Sequence, residues 1–309
     1  MLLEGWIIKA TGRWYTVETA GGERYRCAVK GSFRLRGKRT SSPVVVGDHV
    51  LFEPYEEDDT GLIREIRPRK NYIIRRSSNL SHESQIIAAN IDQAMLVCSL
   101  VKPRTLIGFI DRFLVAAESY RIPVILVFNK TDLYGKKEQN ELEKLTGIYR
   151  DIGYEVLHTS VPEQKNLDLF RKKLKDKTTL LSGNSGVGKS TLINTVEPSL
   201  NLKTRPISNY HKSGRHTTTY SEMFPLSSGG YIIDTPGIRG FGLVEVEKKE
   251  IYHFFPEIFQ YSKGCEYYNC THTHEPGCSV RKAVAEGKIA ESRYNSYLDL
   301  YFDEEKKYR

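Results

Sequence analysis

The sequence predicts a multidomain protein with three parts: an N-terminal β-barrel of the oligonucleotide-binding kind (OB-fold), a central α/β domain with a doubly wound sheet, and a C-terminal α-helical zinc-binding domain. Three observations predict it. Residues 1–70 hold five short β-prone runs separated by glycine turns. From residue 91, apolar strand-like runs alternate with helical spacing and lead into G-x-x-x-x-G-K-S at Gly183–Ser190. Near the C-terminus, Cys265, Cys270 and Cys278 crowd together with His272 and His274. The expected boundaries are 1–70, 71–241 and 242–309.

Composition narrows the class. A chain of 309 residues, 39% hydrophobic and 27% charged, has room for two or three globular domains. No run approaches the ~18 apolar residues of a membrane span. The N-terminus carries Glu4 and lacks a basic stretch, so no signal peptide is expected. A net charge of +8 favours an acidic polymer as partner, although nucleotide binding would use part of it. The five cysteines are an odd number, and three of them cluster, which suits metal ligation in a reducing compartment. The cytoplasm is the expected address.

In chain order, the barrel strands are expected at Leu3 to Ala10, Arg13 to Thr19, Arg24 to Lys30, Pro43 to Phe52 and Gly61 to Ile66. Arg34, Arg36, Lys38 and Arg39 form a dense basic loop between the third and fourth, a solvated loop or a contact for a phosphate backbone. Residues 71–90 read as a polar connector. Ile91 to Leu100 reads as a strand buried on both faces, Leu106 to Tyr120 as a helix, and Pro123 to Phe128 as a central parallel strand. A polar helix and a strand at Tyr154 to Leu157 follow. Thr178 to Ser182 is the strand before the glycine loop, and Thr191 to Val196 continues a helix after it.

The motifs sit where such sheets bind ligands, at the carboxyl ends of the strands. In Gly183, Asn184, Ser185, Gly186, Val187, Gly188, Lys189, Ser190 and Thr191, the glycines let backbone N–H groups turn toward phosphate oxygens at a helix N-terminus. Lys189 would reach the β- and γ-phosphates, and the Ser190 hydroxyl would ligate Mg²⁺. Asn129-Lys130-Thr131-Asp132 follows a buried strand. There the Asp132 carboxylate can accept both N1–H and N2–H₂ of guanine, which adenine cannot offer; the plainer alternative makes Asp132 a helix N-cap. Ser160 ends the next strand. Gly214–Thr219 would close over the γ-phosphate, with Thr217 or, in preference, Thr218 on Mg²⁺. Asp234 and Gly237, in Asp-x-x-Gly, would hold the Mg²⁺ shell and sense the γ-phosphate. That second switch, Asp234 to Gly242, runs straight into the zinc-binding domain, so ordering it is expected to reorient that domain.

These are the parts of a GTPase in an unusual order, with base recognition before the phosphate loop and both switches after it. The order, with a barrel in front and a Cys/His cluster behind, resembles the circularly permuted GTPases of the RsgA (YjeQ or YloQ) family across nearly the whole chain. The resemblance implies a circularly permuted P-loop GTPase domain at residues 71–241. It also implies a small-subunit-dependent GTPase acting late in maturation of the small ribosomal subunit, with GTP/GDP and rRNA as partners. A monomer is expected. Ile238 stands where a water-orienting glutamine often lies, and an aliphatic side chain cannot polarise water. His216, at a position where the family also has histidine, is the catalytic candidate; a solvated loop residue or an RNA contact is the alternative. The family's spacing selects His272 over His274 as the fourth ligand beside Cys265, Cys270 and Cys278, a closed set suited to a structural Zn²⁺. Cys27 and Cys98 read as buried thiols. Tyr294, Leu298, Tyr301 and Phe302 read as the packing face of a final helix. Two other classes remain open on sequence alone: a nucleotide-gated RNA-binding module with incidental hydrolysis, and an ATP-using kinase or transporter subunit that shares only the phosphate loop.

Overall fold

The structure, a computed structural model, describes residues 1–29, 43–55, 58–76, 84–200, 222–234 and 246–302; the side chains of residues 75, 76, 84, 85 and 234 lie outside the description. Arg34, Arg36, Lys38, Arg39, His216, Thr217, Thr218 and Gly237 fall outside it as well.

Five strands form the first unit: β1 (Leu3–Thr11), β2 (Trp14–Glu18), β3 (Arg24–Val29), β4 (His49–Pro54) and β5 (Thr60–Ile66). β1 pairs with both β2 and β4, β3 pairs in parallel with β5, and β5 pairs with β4, which closes the barrel. Alternate residues point inward, as the two-residue strand period requires, and Ile7, Tyr15, Val17, Cys27, Val50, Phe52 and Ile63 fill the interior. The fourth strand begins later than expected. Val44–Asp48 instead form a tight turn in which Asp48 accepts from Val45 N–H (2.8 Å) and holds the Arg69 guanidinium at 2.6 Å.

The stretch expected as a polar connector is an antiparallel hairpin, β6 (Tyr72–Arg76) with β7 (Ser84–Ala89). Its polar centre hides the pattern, while its ends are apolar and buried at Ile73, Ile74, Ala88 and Ala89. Asn71 fastens the neck by exchanging side-chain hydrogen bonds with the Ile91 backbone at 2.8 Å in both directions.

The α/β unit contains β8 (Gln93–Cys98), α1 (Ile107–Ser119), β9 (Val124–Phe128), α2 (Lys136–Ile152), β10 (Glu155–His158), α3 (Leu167–Leu174), β11 (Lys177–Ser182), α4 (Lys189–Val196), β12 (Glu222–Pro225) and β13 (Gly230–Asp234). The strands lie in the order β10-β9-β8-β11-β13-β12, all parallel but β12. Strand side chains alternate between two cores: Ala94, Leu96, Cys98, Leu126 and Phe128 meet α1 and α2, whereas Met95, Val97, Val127 and Leu181 meet α3 and α4. β12, which the sequence pattern did not mark, pairs with β1 at Lys9↔Glu222 and joins barrel to sheet.

The C-terminal unit holds α5 (Pro256–Ser262), α6 (Ser279–Ala285) and α7 (Glu291–Phe302) around Phe255, Ile258, Val280, Ile289 and Tyr297. Val115 of α1 enters that core, so α1 is covered on two sides. On α7, Tyr294, Leu298 and Tyr301 pack as expected, but Phe302 is 61% exposed, and the fully buried positions are Arg293 and Tyr297. Among the described residues no helix is long and apolar enough to cross a membrane.

Candidate functional site

The carboxyl ends of β8, β9, β10 and β11 bring the sequence-marked residues to one edge of the sheet. After β11 the chain makes the glycine loop and enters α4 at Lys189. Gly183 (φ +141°) and Gly188 (φ +101°) have backbone angles that only glycine adopts readily, and a Cβ at either would strike a neighbour, Val97 O for the first and the Asn129 amide for the second. Val187 is fully buried and pins the middle of the loop to the core beneath it. Lys189 Nζ donates to Gly183 O (2.7 Å) and Asn184 O (2.9 Å), so its ammonium lies inside the loop's curve. Ser190 follows it in the first turn of α4. Asp234 ends β13, level with Leu181 on the neighbouring strand.

The Asn129–Asp132 segment is fastened directly to that loop. Asn129 Nδ2 donates to Val187 O at 2.9 Å, and Lys130 Nζ donates to Gly186 O at 2.6 Å. Asn129 is held from the other side by Thr159, whose Oγ1 donates to Asn129 Oδ1 at 3.0 Å. Lys130 occupies the left-handed region at φ +64°, which turns the chain sharply between strand and helix. A short 3-10 turn, Thr131–Leu133, then presents Asp132, whose Oδ1 accepts from Ser160 Oγ at 2.7 Å. Thr131 donates its N–H to Thr159 O at 3.2 Å. Burial holds the Lys130 ammonium below its ordinary range, with Asp132 pulling the other way. Asn129, Lys130, Thr131, Asp132, Ser160 and Gly183–Thr191 thus lie together along one rim, which carries hydrogen-bond donors, the Asp132 carboxylate and two ammoniums, Lys130 and Lys189. Thr159, Tyr134 and Lys102 also take part in this framework, and no local sequence pattern marks Tyr134 or Lys102; only the adjacency of β8 and β9 brings them in.

A second cluster lies in the C-terminal unit. The donor atoms of Cys265, Cys270, His272 and Cys278 all lie within 4.8 Å of one another. Cys265 Sγ is 3.5 Å from His272 Nδ1 and 3.9 Å from Cys278 Sγ, and Cys278 Sγ is 3.6 Å from His272 Nδ1. Tetrahedral zinc with Zn–S of ~2.3 Å and Zn–N of ~2.0 Å sets its ligand atoms about 3.5–3.8 Å apart, so the donor set fits a metal ion such as zinc. Burial pushes the Cys270 thiol up to about 12, raises that of Cys278 and lowers the His272 imidazole, so a cation is what would turn Cys270 and Cys278 into thiolates. Tyr294 Oη donates to His272 O (2.7 Å) and Tyr297 Oη to Thr271 O (2.5 Å), fixing the ligand loop to α7. His274 is exposed, bonds to Thr273 and stands outside the cluster. Cys27 and Cys98 are buried thiols, each pushed up by burial.

Comparison with known proteins agrees with this architecture. Two family models match the chain: RsgA N-terminal domain over residues 4–63 and RsgA GTPase over residues 66–244. The small ribosomal subunit biogenesis GTPase RsgA of Phocaeicola vulgatus is 53% identical over 308 residues, 99% of each chain. The crystal structure of YjeQ from Thermotoga maritima matches with a TM-score of 0.80 at 32% identity, over 98% of each chain. That of YloQ, a circularly permuted GTPase, matches with a TM-score of 0.75 at 31% identity, over 97% of this chain and 94% of that one.

Proposed function

We propose, from the premise that this chain belongs to the RsgA GTPase family, that it hydrolyses GTP to GDP and phosphate on the small ribosomal subunit and acts late in that subunit's maturation. The observation that carries the reading is the 2.9 Å bond from Asn129 to the Val187 carbonyl, which brings residues far apart in sequence to one rim. In this reading Asp132 accepts from guanine N1–H and N2–H₂, Ser160 steadies its carboxylate, and Asn129, Lys130 and Thr131 brace and cover the base. Backbone N–H groups of Gly183–Thr191 and the Lys189 ammonium receive the phosphates.

Ser190, Thr218 and Asp234 would hold Mg²⁺, which neutralises charge on the phosphate oxygens when it is bound with the nucleotide. Gly237 would sense the γ-phosphate, and His216 would orient the attacking water in place of the missing glutamine. His216, Thr218 and Gly237, and the side chain of Asp234, lie outside the described residues. Arg34, Arg36, Lys38 and Arg39 would contact rRNA phosphates, in keeping with a net charge of +8. The Cys265, Cys270, His272 and Cys278 cluster would carry one zinc ion in a structural role, since four protein ligands fill a tetrahedral shell. The protein would work as a monomer in the cytoplasm, with domains at 1–70, 71–241 and 242–309.

Steady-state turnover of GTP and ATP, with and without purified small subunits and with large subunits as control, tests the proposal. GTP alone should be hydrolysed, and small subunits should accelerate it roughly tenfold or more, as positioning of a missing catalytic group does elsewhere. Equal use of ATP, or indifference to small subunits, would contradict it.

A further inference from the structure

The Asn129–Asp132 turn is also held from the side of the loop that follows β8. Residues 99–105 leave the end of β8 and loop back to start α1. The neck of this loop is closed twice: Ser99 N–H donates to Thr105 Oγ1 at 3.1 Å, and Thr105 N–H donates to Ser99 O at 2.7 Å. Inside it, Leu100 N–H donates to the Tyr134 hydroxyl at 2.9 Å, and that hydroxyl donates onward to Asn129 O at 2.9 Å. At its tip, Lys102 O accepts from Lys130 Nζ at 2.6 Å. Tyr134 is only 5% exposed and also closes the 3-10 turn carrying Asp132, through its N–H to Thr131 O at 3.2 Å.

One buried hydroxyl therefore joins two loops, with both its donor and an acceptor lone pair used. Without it, the Leu100 N–H and the Asn129 carbonyl would be left in a buried place with no partner, and the loops would separate to rehydrate them. The turn would then no longer hold the Asp132 carboxylate square to two adjacent N–H donors. A two-point contact of this kind depends on angle far more than phosphate binding does, because the phosphates are held by many N–H groups on another element.

We propose that Tyr134 is a positioning residue for purine specificity, acting with the Ser99–Thr105 loop to set Asp132 against the guanine 2-amino edge. This rests on the guanine-nucleotide reading above and deepens it. The test compares the affinities of the full chain for GDP and for inosine diphosphate, which lacks the 2-amino group, in native, Tyr134→Phe and Thr105→Val proteins, with melting temperature recorded for each. Thr105→Val removes one of the two bonds at the loop neck, the one from Ser99 N–H, without touching the tyrosine, so the test stands even if Tyr134→Phe fails to fold. Each variant should lower GDP affinity about five- to tenfold and inosine diphosphate affinity less, shrinking the native ratio about threefold, the scale of one weakened polar contact. A lower melting temperature with an unchanged ratio in both variants would reduce Tyr134 to a structural residue and overturn the proposal. If the native protein shows no preference for GDP over inosine or adenosine diphosphate, the guanine reading itself fails, which is a separate outcome.

Discussion

His158 shows how a single side chain beside the site ties stability to pH. It ends β10, its Nε2 lies 2.8 Å from Thr146 Oγ1, and its carbonyl accepts from Asn166 Nδ2 at 2.8 Å. Burial, reinforced by the positive charges of Arg150 and Lys165, holds its imidazole below the ordinary value of 6.5. The folded protein therefore binds this proton less readily than the unfolded chain. Its contribution is complete above pH 6.5 and declines as the pH falls below that value. The melting temperature should drop between about pH 7.5 and about pH 5.5, and His158→Gln should flatten part of that slope. An identical slope in the variant would assign the loss to other groups. Residues whose neighbourhood is local were the easiest to read: the Gly183–Ser190 loop by its motif, Asp132 by its place after a buried strand, and the grouping of Cys265, Cys270, His272 and Cys278 by their closeness in sequence together with the family resemblance that favoured His272 over His274. Tyr134 was not, since its partners Leu100 and Asn129 lie in the loops after two different strands.

Among the elements, α1 does more than line the sheet. Asp111 on its outer side accepts from Arg293 of α7 (2.8 Å), Ser296 of α7 (2.6 Å) and Tyr149 of α2 (2.8 Å), while Arg293 also donates to Glu257 of α5 at 2.6 Å. Arg293 and Asp111 are fully buried, and the guanidinium lies over the Phe255 ring at 4.6 Å. Burial alone would disfavour the charged guanidinium, but the two carboxylates outweigh it and keep it charged. Removing one partner strands the other charge, so Asp111→Ala or Arg293→Ala should cost about 3–5 kcal/mol in denaturant melts. A loss below about 1 kcal/mol, the range of exposed pairs, would show the network to be incidental. A swing of the C-terminal unit away from α1 would have to break these same bonds, which opposes a loosely tethered C-terminal domain. Most strands and helices of the α/β unit were readable from apolar period. The α7 face was misread at Phe302 because hydrophobic patterning treats an arginine as surface, and the hairpin β6–β7 was missed because its polar centre masks short buried ends.

On the scale of the whole molecule, the order of motifs along the chain and their order in space differ, and the sheet reconciles them. β11, which leads to the Gly183–Ser190 loop, is central, with the earlier strands β8, β9 and β10 on one side and the later β13 and β12 on the other. The Asn129–Asp132 turn can therefore precede the Gly183–Ser190 loop in sequence and still bond to it. The barrel joins the same sheet: Lys9 pairs with Glu222 at 2.9 Å, and Tyr231 of β13 donates to Glu18 of β2 at 2.8 Å. The sequence marked three units but not this seam, because β12 is short and pairs across domains. The most direct measurement of the central claim, that one guanine nucleotide spans Asp132 and Lys189, is calorimetric titration of GDP and xanthosine diphosphate into native and Asp132→Asn protein. The native chain should bind GDP and reject xanthosine diphosphate. The variant should reverse that order, because an amide can donate to the xanthine 2-oxo group where a carboxylate is repelled. Unchanged GDP affinity in Asp132→Asn would contradict the account.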